Sequence, residues 1–270
     1  MRRGDRIVLL LGCIGLLSLT ACVRFFPSTE PVVRVDGAQL AHRYLDEQKI
    51  RSAGAPHWGV EGILDLETPD QARRNRVDMM GSGGERMRLR AFGPFQQVAL
   101  ELLTTPSWMR WVDPQKQRVI QVPATAEGMR HLIGLPLTPP RLFQLVMGRA
   151  ASLAGPGQGV LFGTAAGVPV TTREGERLLL DPVHGRILER FGEAVPGTPY
   201  HAVYAWPERP GVGPMALPER ILVTLEHPGM RLELIFKRWF LPGTGMPDAL
   251  FSSEVPPGFI LQRPLDEEHG

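Results

Sequence analysis

The sequence predicts a mainly β protein with a few helices (α+β), built on one antiparallel sheet of about ten strands. Three observations predict it. Apolar and polar residues alternate with period 2 through most of the 270-residue chain, the mark of strands dry on one face and wet on the other. Turn chemistry separates these runs, as at Gly81-Ser82-Gly83-Gly84, Gly93-Pro94, Thr105-Pro106 and Asp113-Pro114. The alternation is interrupted once, midway, by two short helical patterns. A sheet this long must close or curl, and a curled sheet encloses volume that the two helices can cover as a lid.

The chain opens with three arginines in residues 1–6 and an apolar stretch from Ile7 to Leu19. That is the order of a secretory signal, and it is short for a membrane span. It ends Leu19-Thr20-Ala21-Cys22, which resembles the bacterial lipoprotein box; an ordinary signal peptide or an N-terminal anchor is the alternative. The resemblance implies removal of residues 1–21 and attachment of acyl chains such as palmitate to Cys22. Several chains hold a protein at a bilayer durably, at roughly 0.8 kcal/mol per buried methylene. Cys13 leaves with the signal, so Cys22 is the mature chain's only cysteine and cannot form an internal disulfide. Val23 and Arg24 follow, with no Asp at the second position, which in enterobacterial-type sorting implies the outer membrane, facing the periplasm. Residues 22–35, with Pro27 and Pro31, read as the lipidated cysteine and a tether; Val23 to Val35 would reach about 45 Å when extended. Residues 36–270 read as one domain, without an internal repeat.

Asp36 is a candidate N-cap for a first helix carrying Leu40, Tyr44 and Leu45 as far as about Arg51. Strands follow. Val60, Gly62, Leu64 and Leu66 share a face, as do Val77 with Met79, then Met87, Leu89 and Ala91, then Val98, Leu100 and Leu102; further strands are expected at Trp108–Val112 and Arg118–Val122. Thr125 would cap a helix through Met129, Leu132 and Ile133, ended by Gly134 and Pro136. After Pro139-Pro140 a second helical stretch carries Leu142, Phe143, Leu145, Val146 and Met147. Gly155 to Gly159 is a loop. Strand patterns resume at 160–163, 168–172, 177–181, 186–191 and 200–206. A final hairpin joins Ile221, Val223 and Leu225 to Leu232, Leu234 and Phe236 through His227-Pro228-Gly229.

Charge and motifs exclude several functions. Residues 1–21 hold Arg2, Arg3, Arg6 and Asp5, so the mature chain has 27 basic and 27 acidic positions; that balance gives no electrostatic case for nucleic acid. No H-E-x-x-H, C-x-x-C, G-x-S-x-G or Walker-type loop is present. The seven histidines are scattered with no i, i+4 pair. Gly155-x-Gly157-x-Gly159 opens no helix and is not a dinucleotide fingerprint. Together these point to a protein that is not an enzyme and uses neither cofactor nor metal.

Six of the nine mature methionines fall between 79 and 147, alongside Trp108, Trp111 and Phe143. Methionine repacks around variable apolar ligands, but the same residues could simply fill a core. The candidates for a hydrophobic cavity are Met79, Met87, Leu89, Leu100, Trp108, Trp111, Leu132, Phe143, Leu234 and Phe236, although alternation does not say which face looks inward.

The stretch Arg86 to Gly148 resembles the outer-membrane lipoprotein receptors, LolB and its relatives, of the LolA/LolB superfamily. The residues that carry the resemblance are the strand Arg86–Arg90, the turn Gly93-Pro94-Phe95 and the strand Val98–Leu102. Met129–Leu137 and Leu142–Gly148 follow in the family's order, and Leu217–Glu226 with Leu232–Trp239 match its final hairpin more loosely. The resemblance implies a half-open antiparallel β-barrel with helices forming a lid over a hydrophobic cavity for acyl chains. It also implies a receptor that accepts lipoproteins from a soluble periplasmic carrier and inserts them into the outer membrane. The turn Gly93, Pro94 and Phe95 would be the membrane-insertion element, with Phe95 either an exposed wedge or an aromatic folded back over the core. The chain departs from the family in having Phe where Leu is usual and a longer Gly155–Gly159 loop. It also extends from about residue 241, where Leu250-Phe251 and Phe259–Leu261 could add an edge strand or a cap. The cargo is thus lipoprotein or another envelope lipid, and a monomer is expected. The competing function is a structural or assembly lipoprotein that binds another envelope protein through its barrel surface.

Overall fold

A computed structural model describes residues 32–53, 57–82, 86–154, 160–164, 166–207, 217–226, 229–240, 247–251 and 254–263. The expected signal segment, Cys22, the expected tether as far as residue 31, Gly83-Gly84, Gly155–Gly159 and His227-Pro228 lie outside the described residues.

The first elements are strand β1 (Val33–Asp36) and helix α1 (Gly37–Ala53). Strand β1 lies partly within the stretch expected as a tether: Val33 and Val35 alternate with exposed Val32 and Arg34. Asp36 caps α1 as its position predicts, its Oδ1 accepting from the backbone N–H of Ala38 at 2.8 Å and of Gln39 at 3.1 Å. Two antiparallel hairpins follow, β2 (His57–Thr68) with β3 (Gln71–Ser82) and β4 (Arg86–Phe92) with β5 (Val98–Thr104). A third joins β6 (Trp108–Asp113) and β7 (Arg118–Pro123).

The sheet then gives way to α2 (Ala126–Ile133) and α3 (Pro139–Val146). Thr125 caps α2 by accepting from Gly128 N–H at 3.1 Å, and Gly134 ends it in the left-handed region at φ 78°. Thr138 caps α3, whose first two positions are Pro139 and Pro140, where a missing N–H costs nothing. The remaining strands are β8 (Val160–Gly163), β9 (Val168–Thr171), β10 (Arg177–Leu180), β11 (Ile187–Glu193), β12 (Pro199–Ala205), β13 (Arg220–Leu225), β14 (Met230–Phe240) and β15 (Ile260–Gln262). Among the described residues fifteen strands are present, not about ten; β1, four residues long and directly before a helix, carries too few alternations to stand out.

Thirteen strands form one sheet in the order β15-β7-β6-β5-β4-β3-β2-β14-β13-β12-β11-β10-β9, while β1 and β8 form a separate antiparallel ribbon. All neighbours in the large sheet are antiparallel except β15, which lies parallel to β7. The long strands β2 and β14 pair from Glu67–Arg231 to Gly59–Phe240, uniting the early and late halves of the chain. The outer strands β9 and β15 do not pair with each other, so the sheet is open and the barrel only half formed. Its buried face nevertheless belongs to one continuous core that runs from Val168 on β9 to Val122 on β7 and takes in all three helices. A flat sheet could not bring both ends to one core, so the sheet curls around the helices.

Candidate functional site beneath the lid helices

Cross-strand partners share a face, so the register decides which predicted residues meet. Leu234 faces Leu64 and Phe236 faces Gly62 across β14 and β2. Met79 sits between Val60 and Leu89, and Gly81 between Trp58 and Met87. Leu100 pairs with Ala91, Leu89 with Leu102, and Leu102 with Trp111. Met79, Met87, Leu89, Leu100, Trp111, Leu234 and Phe236 therefore lie on one face, the face that α2 and α3 cover. Leu132 on α2 is half-buried against this core and Phe143 on α3 is buried in it.

Trp108 does not belong with them. It stands three residues from Trp111 on the same strand, so the pleat turns it to the opposite face, where Arg110 stacks over its ring at 4.6 Å. The two tryptophans cannot line one cavity.

The covered face is tightly filled. Trp58 is fully buried, its ring 5.8 Å from Phe143 of α3 and 6.2 Å from Trp239, which in turn lies 4.7 Å from Phe236. On α2, Gly128 lies so close to the sheet that a Cβ there would come within 2.3 Å of the Pro123 carbonyl and 2.9 Å of Val122. The lid rests directly on the strands, with Met79, Met87, Met109, Met129 and Met147 buried between them.

An ionic cluster that sequence reasoning missed pins α3 to the sheet. Glu176 lies in the turn between β9 and β10. Its carboxylate accepts from Arg190 Nε at 3.0 Å and Nη2 at 2.8 Å, from the Tyr200 hydroxyl at 2.5 Å, and from Arg141 on α3. Arg190 also donates to the Arg149 carbonyl at 2.6 Å, just beyond α3. Burial alone would lower the Arg190 pKa, but Tyr204, Tyr200 and the Glu176 carboxylate hold it above its ordinary value. Burial is likewise the main reason the Tyr200 hydroxyl lies above the usual phenol range, with Glu176 adding to it against the opposing guanidinium of Arg190. Nothing in the alternation around Arg190 distinguishes it from the arginines that face solvent.

The turn Gly93–Gln97 is firmly built. Gly93 N–H donates to the Gln97 carbonyl at 2.9 Å, Gln96 N–H to the Gly93 carbonyl at 3.0 Å, and Phe95 N–H to Gln97 Oε1 at 3.0 Å. Phe95 at its tip is 89% exposed, so it does not fold back over the core.

The sheet's other face carries a cavity of about 330 Å³ under the C-terminal extension. Arg88, Arg90, Glu101 and Arg110 from the strands meet Leu250 and Phe259 from the extension there. Residues beyond 241 thus supply both an edge strand, β15, and a cover, with Phe251 buried. Arg88 is held by Glu101 at 2.6 Å, Arg90 by Asp78, and Arg110 donates to Gln121 at 2.6 Å. Among the described residues, no group of three or more His, Cys, Asp or Glu side chains could hold a metal ion, and no helix is long and apolar enough to cross a membrane.

No family model matches the chain, and no curated protein matches it. Solved structures do share its fold. A putative outer membrane lipoprotein-sorting protein domain from Vibrio parahaemolyticus is 11% identical with a TM-score of 0.51, over 79% of this chain and 95% of that one. A DUF1329 family protein from Desulfovibrio piger is 11% identical with a TM-score of 0.52, over 80% and 96%. A LolA superfamily protein from Nitrosomonas europaea is 12% identical with a TM-score of 0.49, over 81% and 98%. The likeness to the first two, with TM-scores above 0.5, is one of fold: a large, open, mainly antiparallel sheet with helices against one face.

Proposed function

We propose that this chain is an outer-membrane lipoprotein, anchored through acyl chains on Cys22, that binds the acyl chains of lipoproteins beneath α2 and α3 and passes them into the membrane without catalysis. The observation that carries this reading is the construction of the covered face. Flexible methionines and aromatic rings fill it, and two short capped helices close it. Such an interior can repack around a hydrocarbon tail when the helices lift, because methionine loses little by changing rotamer. The fold it shares with a putative lipoprotein-sorting domain from Vibrio parahaemolyticus supports the reading by analogy.

The energetics need no nucleotide. Lifting the lid exposes apolar side chains, and an entering chain covers them again at about 25 cal/mol per Å². A bilayer buries the whole chain, whereas a curled open sheet leaves part of it wet, so release into lipid runs downhill. Phe95, exposed at the tip of a rigid turn, is the element that would enter the membrane during that release. A soluble periplasmic carrier would deliver the cargo.

An environment-sensitive apolar dye tests the reading. It should bind saturably to the unlipidated mature domain and be displaced by fatty-acid or lipoprotein chains. Absence of saturable binding would overturn the reading and favour an assembly lipoprotein that uses its outer surface.

A further inference from the structure

The interior beneath the lid contains an indole donor whose position asks for a ligand. Three tryptophans contribute to the core around the lid. Trp206 Nε1 donates to the Ile187 carbonyl at 2.7 Å and Trp239 Nε1 to the Pro218 carbonyl at 3.2 Å. Trp58 Nε1 is buried and, among the described residues, has no acceptor within hydrogen-bonding distance. Its indole is the most deeply placed of the three, fully buried between the sheet and Phe143 of α3. An indole nitrogen is a donor only, and a buried donor left unpaired loses its hydration without return.

The surroundings make room for this arrangement. Gly81 lies opposite Trp58 in the β2–β3 register. A Cβ at Gly81 would come within 2.2 Å of both Nε1 and Cε2, so only a glycine lets the indole lie down on the strand there. Met87, opposite Gly81 on β4, is buried beside it. An N–H donor is thus set among the apolar side chains of Met87, Phe143 and Trp239.

We infer that Trp58 is the polar anchor of the interior that opens when the helices lift, and that its N–H receives the carbonyl oxygen of an ester- or amide-linked acyl chain. The inference rests on the proposed acyl binding and narrows the ligand class: chains bearing a carbonyl should be preferred to bare hydrocarbons of equal length. A hydrocarbon offers the donor nothing and leaves it unpaired, whereas a carbonyl removes that penalty on entry. The rest of the chain would lie along the methionine-lined face.

The test compares methyl decanoate with dodecane, a chain of equal length without an acceptor, as dye displacers on the mature chain carrying Cys22→Ser, with and without Trp58→Phe. Phenylalanine keeps an aromatic ring but removes the donor. The expected result is about a 5-fold loss of affinity for the ester in Trp58→Phe, and less than about a 2-fold change for the hydrocarbon. In parallel, the Trp58 indole proton resonance of the unsubstituted chain should move downfield on adding the ester and stay in place with the hydrocarbon. The second measurement decides the matter if Trp58→Phe does not fold. Equal losses for both ligands, or an indole resonance that ignores the ester, would overturn the anchor and leave Trp58 a packing residue. Failure of the unsubstituted chain to bind either ligand would instead bring down the acyl-binding reading, and this inference with it.

Discussion

Glu176→Gln removes the charge that Arg190 and Arg141 share beneath α3. Arg190 is fully buried, and a guanidinium is too basic to shed its proton even where its counter-ion is lost. The guanidinium therefore cannot relieve its isolation by losing a proton. Breaking a buried pair from one side costs about 3–5 kcal/mol, a large share of the 5–15 kcal/mol typical of a whole domain. A glutamine still offers one oxygen to Arg190 or Tyr200, which places the expected loss near 3 kcal/mol by order of magnitude. Arg141→Gln removes the same contact from the other side, but leaves Glu176 with both hydrogen bonds from Arg190. Arg141 is also partly exposed, so its loss should cost about 1 kcal/mol or less. Urea unfolding followed by far-UV circular dichroism separates the two. With a slope of about 2 kcal/mol per molar urea, the midpoint should fall by roughly 1.5 M for Glu176→Gln and by under 0.5 M for Arg141→Gln. Adding Arg190→Met to Glu176→Gln should recover much of the loss, because the buried charge left without a counter-ion is then gone. A Glu176→Gln midpoint unchanged from the parent, or equal losses for the two single variants, would refute this account of how α3 is held.

Phe95→Glu should shift the thermal midpoint by no more than a surface substitution does, within about 0.5 kcal/mol, while transfer of bound chains to liposomes falls at least several-fold; a large stability loss would show the ring to be structural. Met129→Ala should destabilise the empty protein by about 2–5 kcal/mol, and saturating acyl ligand should reduce that deficit, since a chain can occupy the space left between α2 and the sheet; equal deficits with and without ligand would argue against a chain lying there. Burial tends to raise the Asp181 pKa, but hydrogen bonds from the His184 ring and from the Val183 and His184 backbone outweigh it, so the folded value is depressed. A depressed acid stabilises the fold above its unfolded pKa of about 3.9 and loses that contribution as pH falls through the lower folded value. Urea midpoints between pH 5 and pH 2.5 should therefore drop more steeply in the parent than in Asp181→Asn.

Alternation and caps determined a good deal by themselves. Asp36, Thr125 and the Pro139-Pro140 pair placed the helix starts because capping is a local matter of one side chain and the next three backbone N–H groups. Period 2 located most of the strands, but grouping Trp108 with Trp111 in one candidate cavity overlooks that residues three apart on a strand point to opposite faces. What alternation leaves open is the sign: which face is covered follows only from where the helices land after the sheet has curled. Trp58 shows this, since it becomes the centre of the interior only through Gly81 opposite it and Phe143 above it. Arg190 shows it more sharply. The cluster around it draws Glu176, Tyr200 and Arg141 from 14, 10 and 49 residues away in the chain, Tyr200 and Arg141 meeting it at the Glu176 carboxylate, and an arginine in an alternating run reads as solvent-facing until the fold closes over it. The cover over the outer face has the same cause, because residues 247–251 and 254–262 find β4 to β7 only in three dimensions. Local chemistry sets helix ends and strand phase; long-range burial, which depends on the curl of the whole sheet, sets which side becomes the interior and which charges are shut inside it.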